Sequence, residues 1–538
     1  MEISLLTLLI ILAVIFLCYM SVTKNFYYFC DKPVASLKPT IPIINTFLLL
    51  FEKFSFFDLI DQLYKPFPNS KIIGTFNLLS PMWVVRDPDT VKKMFVKDFD
   101  HFVDHQSFIK DFDQSTNEVD ALFTNSLFLL KQQKWRDMRA TLSPAFTGSK
   151  MRLMFELVRE TAKAMSTHFV QEAKTNGRQV HEMKDVFSRF TNDVIASCAF
   201  GIKVDSFAEK ENSFFTMAKK MSFRPGKLMT LKFTLFMMFP KVMQKLNMSI
   251  FDRDMAMFFK QIIRDTIQTR EKHNIVRPDM INLLMQLKTG SNISHEQENK
   301  VKDAEGFATV EESAIGKSTT SRVWTETELI AQCFLFFLAG FETASTFLQF
   351  LSHELVVNTE VQQKLYEEIK SFEEGLEGKP LSYDDIQKMK YLDMVITEGL
   401  RKWPPAPVID RECVKDYVYD EGNGVKFTIE KGQLIWIPIF SYHMDPKYFP
   451  NPEKFDPERF SDENKDSIHP GAYLPFGVGP RNCIGSRFAL MEVKAVIYYL
   501  LLNFSFEVCE KTQIPLKLRS GFGMFAEKGV WVDLKLRK

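Results

Sequence analysis

Phe476-Gly477-Val478-Gly479-Pro480-Arg481-Asn482-Cys483-Ile484-Gly485 sets a single cysteine between a glycine-rich turn and an apolar run, Ile484 to Leu502, that predicts a helix. A thiol at a helix N-terminus faces unpaired backbone N–H groups and the positive end of the dipole, and both favour the thiolate. Gly477 and Gly479 permit the positive-φ turns of a tight hairpin, and Gly485 lets the backbone approach a flat group with no Cβ in the way. Arg481 can reach an anionic group beside the sulfur, and Phe476 can shield it from water. The pattern predicts a thiolate that ligates a metal in a dry pocket, a ligand that haem iron accepts. A lone free cysteine is more often a buried structural residue. Specified residues at six fixed offsets (Phe476, Gly477, Gly479, Arg481, Cys483 and Gly485) favour the ligand instead.

The surrounding chain has 538 residues, 46% of them hydrophobic, enough to bury a large core. A net charge of +1 argues against nucleic acid as a partner. The seven cysteines (18, 30, 198, 333, 413, 483 and 509) are scattered, with no CxxC pair, which suits a reducing compartment rather than a disulfide framework. There is no internal repeat and no G-x-G-x-x-G turn for a dinucleotide. Ile3 to Val22 carries no charge and is long enough to span a bilayer. A cleaved signal peptide is the alternative, but Glu2 precedes the run and no small-x-small cleavage site follows. Lys24, Lys32 and Lys38 downstream place the bulk of the chain in the cytosol, so the sequons at Asn247, Asn292 and Asn503 are not expected to be glycosylated. The expected organisation is an anchor helix over 1–23, a linker over 24–50 and one catalytic domain over 51–538.

Along that domain, Lys71–Phe76 and Met82–Val85 predict a β-hairpin, and Asp87-Pro88-Asp89 caps a helix running into Met94. The stretch 101–128 has no period. Lys131–Leu142 predicts a helix with Trp135 and Arg139 at i, i+4, a spacing that suits either two donors on one carboxylate or an exposed Arg beside a packed Trp. From 151 to about 290 the pattern is amphipathic helix. Within it 228–243 is apolar enough either to touch a membrane surface or to pair inside the core. The polar stretch 289–322 reads as a mobile surface loop. Thr325-x-x-Glu328 is a capping box for a long apolar helix containing Ala339-Gly340-Phe341-Glu342-Thr343. Glu398 and Arg401 share a helical face at i, i+3, and Pro404 to Arg411 leaves that helix as an extended strand.

The cysteine segment resembles the haem-binding loop of the cytochrome P-450 monooxygenases at all six positions. Ala339-Gly-Phe-Glu-Thr343 matches that family's oxygen-binding helix, and Trp135…Arg139, Glu398-x-x-Arg401 and Pro457-Glu-Arg459-Phe460 follow the family's order. Segments such as Phe337–Ser345 look most like insect microsomal members linked to xenobiotic metabolism. The resemblance implies a mainly α fold with a smaller β-rich part, in one large domain behind an N-terminal membrane anchor. It implies haem b, with Cys483 as the axial iron ligand and Trp135, Arg139, Arg411, Phe476, Arg481 and Gly485 around the cofactor. It assigns Glu342 and Thr343 to proton delivery, and Glu398, Arg401 and Arg459 to a buried network beneath the loop. Val408 and Ile409 are expected in the pocket wall, with the 520–524 tip entering the pocket. The implied partners are O2, a lipophilic small-molecule substrate, an NADPH-dependent flavoprotein reductase contacting Lys131, Lys134 and Arg136, and cytochrome b5 as a second electron donor. The implied location is the endoplasmic reticulum membrane, with the domain on the cytosolic face. Turnover of an endogenous hormone or lipid, haem-thiolate isomerase or dehydratase chemistry, and a non-catalytic haem sensor remain as alternatives.

Overall fold

A computed structural model describes residues 23–39, 51–106, 118–221, 251–288, 325–422 and 424–538, short pieces at 44–45, 48–49, 231–232, 234–236, 239–249 and 306–309, and positions 13, 16 and 20. The expected anchor over 1–23 and most of the loop 289–322 lie outside the described residues.

Six helices frame the site: α1 (Gln132–Leu142), α2 (Gly148–Asn176), α3 (Met183–Ile195), α4 (Glu326–Val357), α5 (Lys390–Lys402) and α6 (Ser486–Asn503). The start of α4 is fixed locally. Thr325 Oγ1 accepts from the Glu328 N–H at 3.2 Å, and Glu328 Oε2 accepts from the Thr325 N–H at 3.0 Å. The helix then runs 32 residues, roughly 48 Å. Every residue from Ala344 to Val356 is buried, so α4 is core on all sides and has no polar stripe. Among the described residues it is the one helix long and apolar enough to cross a membrane, and its burial marks it as the core helix. Helix α3 crosses it at Gly340, where an added Cβ would lie 2.4 Å from Ile195 Cδ1. Thr191 Oγ1 donates to the Phe341 carbonyl at 2.9 Å across the same contact.

The strands are β1 (Ile72–Asn77), β2 (Ser80–Val85), β3 (Val180–Glu182), β4 (Ile409–Glu412), β5 (Tyr417–Asp420), β6 (Lys426–Ile429), β7 (Leu434–Ile437), β8 (Phe504–Glu507) and β9 (Trp531–Leu536). They form sheets of order β1-β2-β7-β4, β3-β9-β8 and β5-β6. The expected hairpin is β1–β2, with Ile72 opposite Val85 and Asn77 opposite Ser80, so the turn is only Leu78–Leu79. Strand β7 runs parallel to β2 and antiparallel to β4, which sets Arg411 opposite Ile435.

Local departures from the sequence reading have physical causes. Glu118–Thr124 is helical inside a stretch expected to lack period, because Val119 and Leu122 share one face and bury it. Helix α6 begins at Ser486, two residues after the expected start at Ile484. In 228–243, Phe236 and Met243 are buried while Leu231, Phe239 and Val242 are about half exposed, so the segment is packed on one face and open on the other. The 520–524 tip lies against the helix Phe56–Tyr64, with Phe522 5.7 Å from Phe56 and Met524 clustered with Phe57 and Phe350. Four residues of the expected loop, 306–309, are docked on the core.

Candidate active site

The cysteine loop is a closed turn. The Gly477 N–H donates to the Leu474 carbonyl at 3.0 Å and the Cys483 N–H to the Phe476 carbonyl at 2.8 Å. Gly477 and Gly479 have φ of 80° and 70°, and a Cβ on Gly479 would lie 2.1 Å from the Phe95 carbonyl oxygen. Gly485 needs no special backbone: its φ is −94°, and a Cβ there would meet only the Phe146 ring at 3.8 Å. Its N–H faces the cysteine sulfur. The sulfur is accessible only because it looks into a cavity; protein surrounds it otherwise. Burial therefore raises the thiol pKa, against the opposing pull of the Gly485 N–H and the Arg139 charge. This corrects the expectation of a thiol acidified by its helix end. The cysteine precedes the helix, and desolvation outweighs the dipole. A bound metal cation would supply the missing charge.

The cavity has a volume of about 420 Å³ and is walled mainly by apolar side chains of α4, α6 and the cysteine loop, with Ile195 from α3. Trp135, Arg139, Arg411, Phe476, Arg481, Cys483 and Gly485 all line it, as do Thr343 and Ile409; Val408 is not among the lining residues. Three guanidinium groups converge on one edge. Arg139 donates to the Asn482 carbonyl at 2.9 Å and to Asn482 Oδ1 at 2.7 Å, tying α1 to the residue before the cysteine. Arg481 donates to the Val103, Leu127 and Leu130 carbonyls and lies over the Trp135 ring at 4.2 Å. Arg411 Nη1 donates to the Asp410 carbonyl at 2.7 Å, while its buried Nε has no partner among the described residues. Burial lowers Arg411 to about 10, so it stays charged at neutral pH. Burial, followed by repulsion from Arg411, lowers Arg481 as well.

Sequence reasoning missed four groups here. His105 lies 3.1 Å from Asp410 Oδ1 and stacks on Phe128; burial pushes it down to about 4. Asp410 remains below the usual carboxylate range: burial alone would raise it, but His105 and the Gln106 N–H overcome that. Asn482 anchors Arg139, and Glu492 of α6 is a buried acid on the cavity whose pKa burial raises far above the ordinary value. Only the adjacency of Asp410 and Arg411 gave a signal in sequence.

These residues fit a haem. One sulfur facing an apolar cavity suits an iron whose remaining ligands would come with its cofactor. Three cations against the buried carboxylate of Asp104 and the half-buried one of Asp410, with an Arg411 Nε unpartnered among the described residues, suit a group carrying two further carboxylates.

On the opposite wall Thr343 Oγ1 donates to the Ala339 carbonyl at 2.6 Å. Glu342 is not among the lining residues. It pairs with Lys184 of α3 at 3.0 Å, and Lys184 also bonds Ser345 and Thr346. Glu398, Arg401 and Arg459 are assembled. Arg401 makes a bidentate pair with Glu398 at 2.7 and 2.8 Å, both side chains fully buried, and Arg459 Nε lies 3.5 Å from Glu398 Oε1. Of the expected reductase contacts, Lys131 pairs with Glu412 and Arg136 with Asp100, while Lys134 is exposed.

A family model described as Cytochrome P450 matches residues 36–531. Among curated proteins the chain is 44% identical over 523 residues to a probable cytochrome P450 9f2 of Drosophila melanogaster, covering 97% of each chain. It is 42% identical over 539 residues to cytochrome P450 9e2 of Blattella germanica, covering 97% of this chain and 96% of that one. It is 40% identical over 528 residues to cytochrome P450 9b2 of Drosophila melanogaster, covering 97% of each.

Proposed function

Since the chain belongs to the cytochrome P450 family, and is a haem-thiolate monooxygenase acting on lipophilic small molecules, we propose that its task is clearance of foreign compounds, with Cys483 as the axial iron ligand. The observation that carries the ligand assignment is the Cys483 sulfur facing an apolar cavity whose edge holds three guanidinium groups. The breadth of substrate rests on the wall itself. Leu335, Phe336, Ile195 and Phe347 offer apolar surface, and Thr343 has its hydroxyl hydrogen committed to its own helix.

When bound, the haem supplies the redox chemistry that reduces O2 and inserts one oxygen atom. The chain's residues hold and tune it. Cys483 ligates the iron as thiolate, and the Gly485 N–H and Arg139 moderate its charge. Arg139, Arg411 and Arg481 hold the two carboxylates, with Trp135 supporting Arg481. Phe476 and the apolar wall exclude water. Thr343 Oγ1 presents lone pairs to the cavity and can accept from a water there. Glu342 is held as a carboxylate by Lys184, so it would have to leave that pair and take up a proton from solvent before it could pass one to that water. Electrons come from an NADPH-dependent reductase, with cytochrome b5 as a second donor. The setting is the endoplasmic reticulum membrane, with an anchor over 1–23 and the catalytic domain over 51–538 on the cytosolic side.

The ferrous–CO form is expected to show the strongly red-shifted Soret band of thiolate ligation, and Cys483→Ser to lose it. Retention of that band by the variant would refute the ligand. A spectral binding screen of plant toxins, insecticides, terpenoids and steroids tests the substrate reading, which predicts shifts with several unrelated classes. A shift with one steroid or terpenoid alone would favour a dedicated biosynthetic role.

A further inference from the structure

The stretch 289–322 is polar and charged along most of its length, yet Gly306-Phe307-Ala308-Thr309 is seated in the core. The Phe307 ring lies 4.9 Å from Phe460 and 5.3 Å from Tyr473, which are 5.2 Å from each other, so three rings close on one another. Ala308 is 3% exposed. The Phe307 N–H donates to Asp393 Oδ2 at 3.1 Å, and the Thr309 N–H to the Gly306 carbonyl at 3.0 Å, so the four residues turn around one carboxylate. Glycine suits the first position: a Cβ there would lie 2.0 Å from Asp393 Oδ1, so any larger residue must displace the carboxylate that holds the segment.

The socket is part of the frame behind the cysteine loop. Asp393 belongs to α5, the helix of Glu398 and Arg401, and pairs at 2.9 Å with Lys494 of α6, whose side chain is 1% exposed. Lys494 also donates to Gln387 Oε1 at 3.1 Å. Tyr473 donates its hydroxyl to the Thr397 carbonyl at 3.0 Å and stacks on His443 at 5.4 Å. Helices α5 and α6, joined through Asp393 and Lys494, and the segment that leads from Tyr473 to Cys483 therefore meet at the socket that holds Phe307.

The geometry points to an intramolecular peptide-docking site: Asp393, Lys494, Phe460 and Tyr473 recognise the glycine–aromatic–small segment Gly306–Thr309 and, by holding it, pin the long loop to the frame that carries the cysteine loop. The recognition is specific in three ways. The carboxylate selects a backbone N–H, which proline lacks. The closeness of Asp393 selects glycine before that N–H. The ring pair selects an aromatic side chain. Closing a long loop costs little more than closing a short one, so a single anchor of this kind suffices to hold it.

The test uses the full-length, haem-loaded protein in detergent, with Gly306→Val to evict the segment and Phe307→Ala as a gentler variant. A thiolate-type ferrous–CO spectrum verifies that each remains folded. In the parent, hydrogen exchange at Phe307 and Thr309 should be slowed, and chymotryptic cleavage after Phe307 should be at least tenfold slower than in Gly306→Val. Both variants should also exchange faster across Lys390–Lys402 and Leu474–Cys483. Equal cleavage in parent and Gly306→Val, with Phe307 and Thr309 unprotected in the parent, would overturn the docking site. Faster cleavage with unchanged exchange in Lys390–Lys402 would leave docking in place and overturn the pinning of the frame.

Discussion

Thr343 is the hydroxyl that the fold turns toward the cavity, with its hydrogen on the Ala339 carbonyl and its lone pairs free to accept. Thr343→Ala should load haem and keep the thiolate spectrum, because size and helicity barely change. Coupling should fail: product formed per NADPH oxidised should fall severalfold, with hydrogen peroxide rising. An unchanged ratio would leave Thr343 as a helix-bonding residue only. His443 gives a pH prediction. It is wholly buried, Nδ1 meets the Arg401 carbonyl at 3.0 Å, and Nε2 accepts the Leu474 N–H at 3.0 Å on the approach to the cysteine loop. Burial, with the Arg401 charge adding, pushes it down to about 3. A histidine depressed in the fold stabilises the protein above its unfolded pKa of about 6.5 and loses that contribution as pH falls toward 3. The loss is on the order of 4 kcal/mol by the acid end. His443→Gln, which does not titrate, should therefore lose its thiolate spectrum over a narrower and more acidic range; the same acid profile in both proteins would contradict this. Such residues were invisible in sequence because their partners are distant. The loop around Cys483 was legible because five other residues stand at fixed offsets from it. His105 was not, because Asp410 and Arg411 reach it only when β4 closes on the cavity edge.

Helix α4 was readable at both ends, since the Thr325–Glu328 capping box and the uninterrupted apolar run are local signals. Its orientation was not. Glu342 and Thr343 are neighbours in sequence, yet successive residues on a helix point about 100° apart. One faces the cavity and the other meets Lys184 on α3. The start of α6 was misread for a related reason: the apolar run continues back through Ile484, but the 3-10 turn Gly479–Arg481 delays the helix. In α5 the i, i+3 spacing of Glu398 and Arg401 was visible, but their total burial and the approach of Arg459 were not. That burial sets the scale of the element's prediction. Arg401→Ala leaves the Glu398 carboxylate with the Asp456 N–H and Arg459 but without its bidentate partner. It also frees the His443 and Pro452 carbonyls that Arg401 bonds. Breaking such a pair costs about 3–5 kcal/mol. The expected outcome is almost no haem-loaded protein at physiological temperature and partial recovery in the cold. A normal yield at both temperatures would mean that the pair does not support the fold.

At the scale of the whole molecule, the remaining question is how the domain meets a bilayer. With the anchor proposed over 1–23 as the first attachment, we predict a second contact through the described part of 228–243 and the turn that follows it. Leu231, Phe239, Val242 and Leu246 are 49%, 49%, 52% and 63% exposed, while Phe236 and Met243 between them are buried. The buried pair fixes the segment to the domain, so the exposed side chains are presented on a held surface rather than a free tail. Each contributes roughly 1.5–3 kcal/mol when taken fully out of water, and half-exposed positions offer part of that. Four together suffice for measurable partitioning without any charge term. Lys232, Lys241 and Lys245 lie among these side chains and would add attraction to an anionic bilayer, so neutral lipid isolates the apolar term. Deleting residues 1–23 should therefore leave the protein partly bound to neutral phospholipid vesicles, and high salt should not release it. Adding Leu231→Ser, Phe239→Ser, Val242→Ser and Leu246→Ser to that deletion should make it soluble, with the thiolate spectrum retained because none of the four lines the cavity. Sedimentation with vesicles at low and high salt measures both proteins. If the deletion alone were fully soluble, the exposed face would have no membrane role. If salt released it, the attachment would be electrostatic, and the apolar face would again be excluded as its cause.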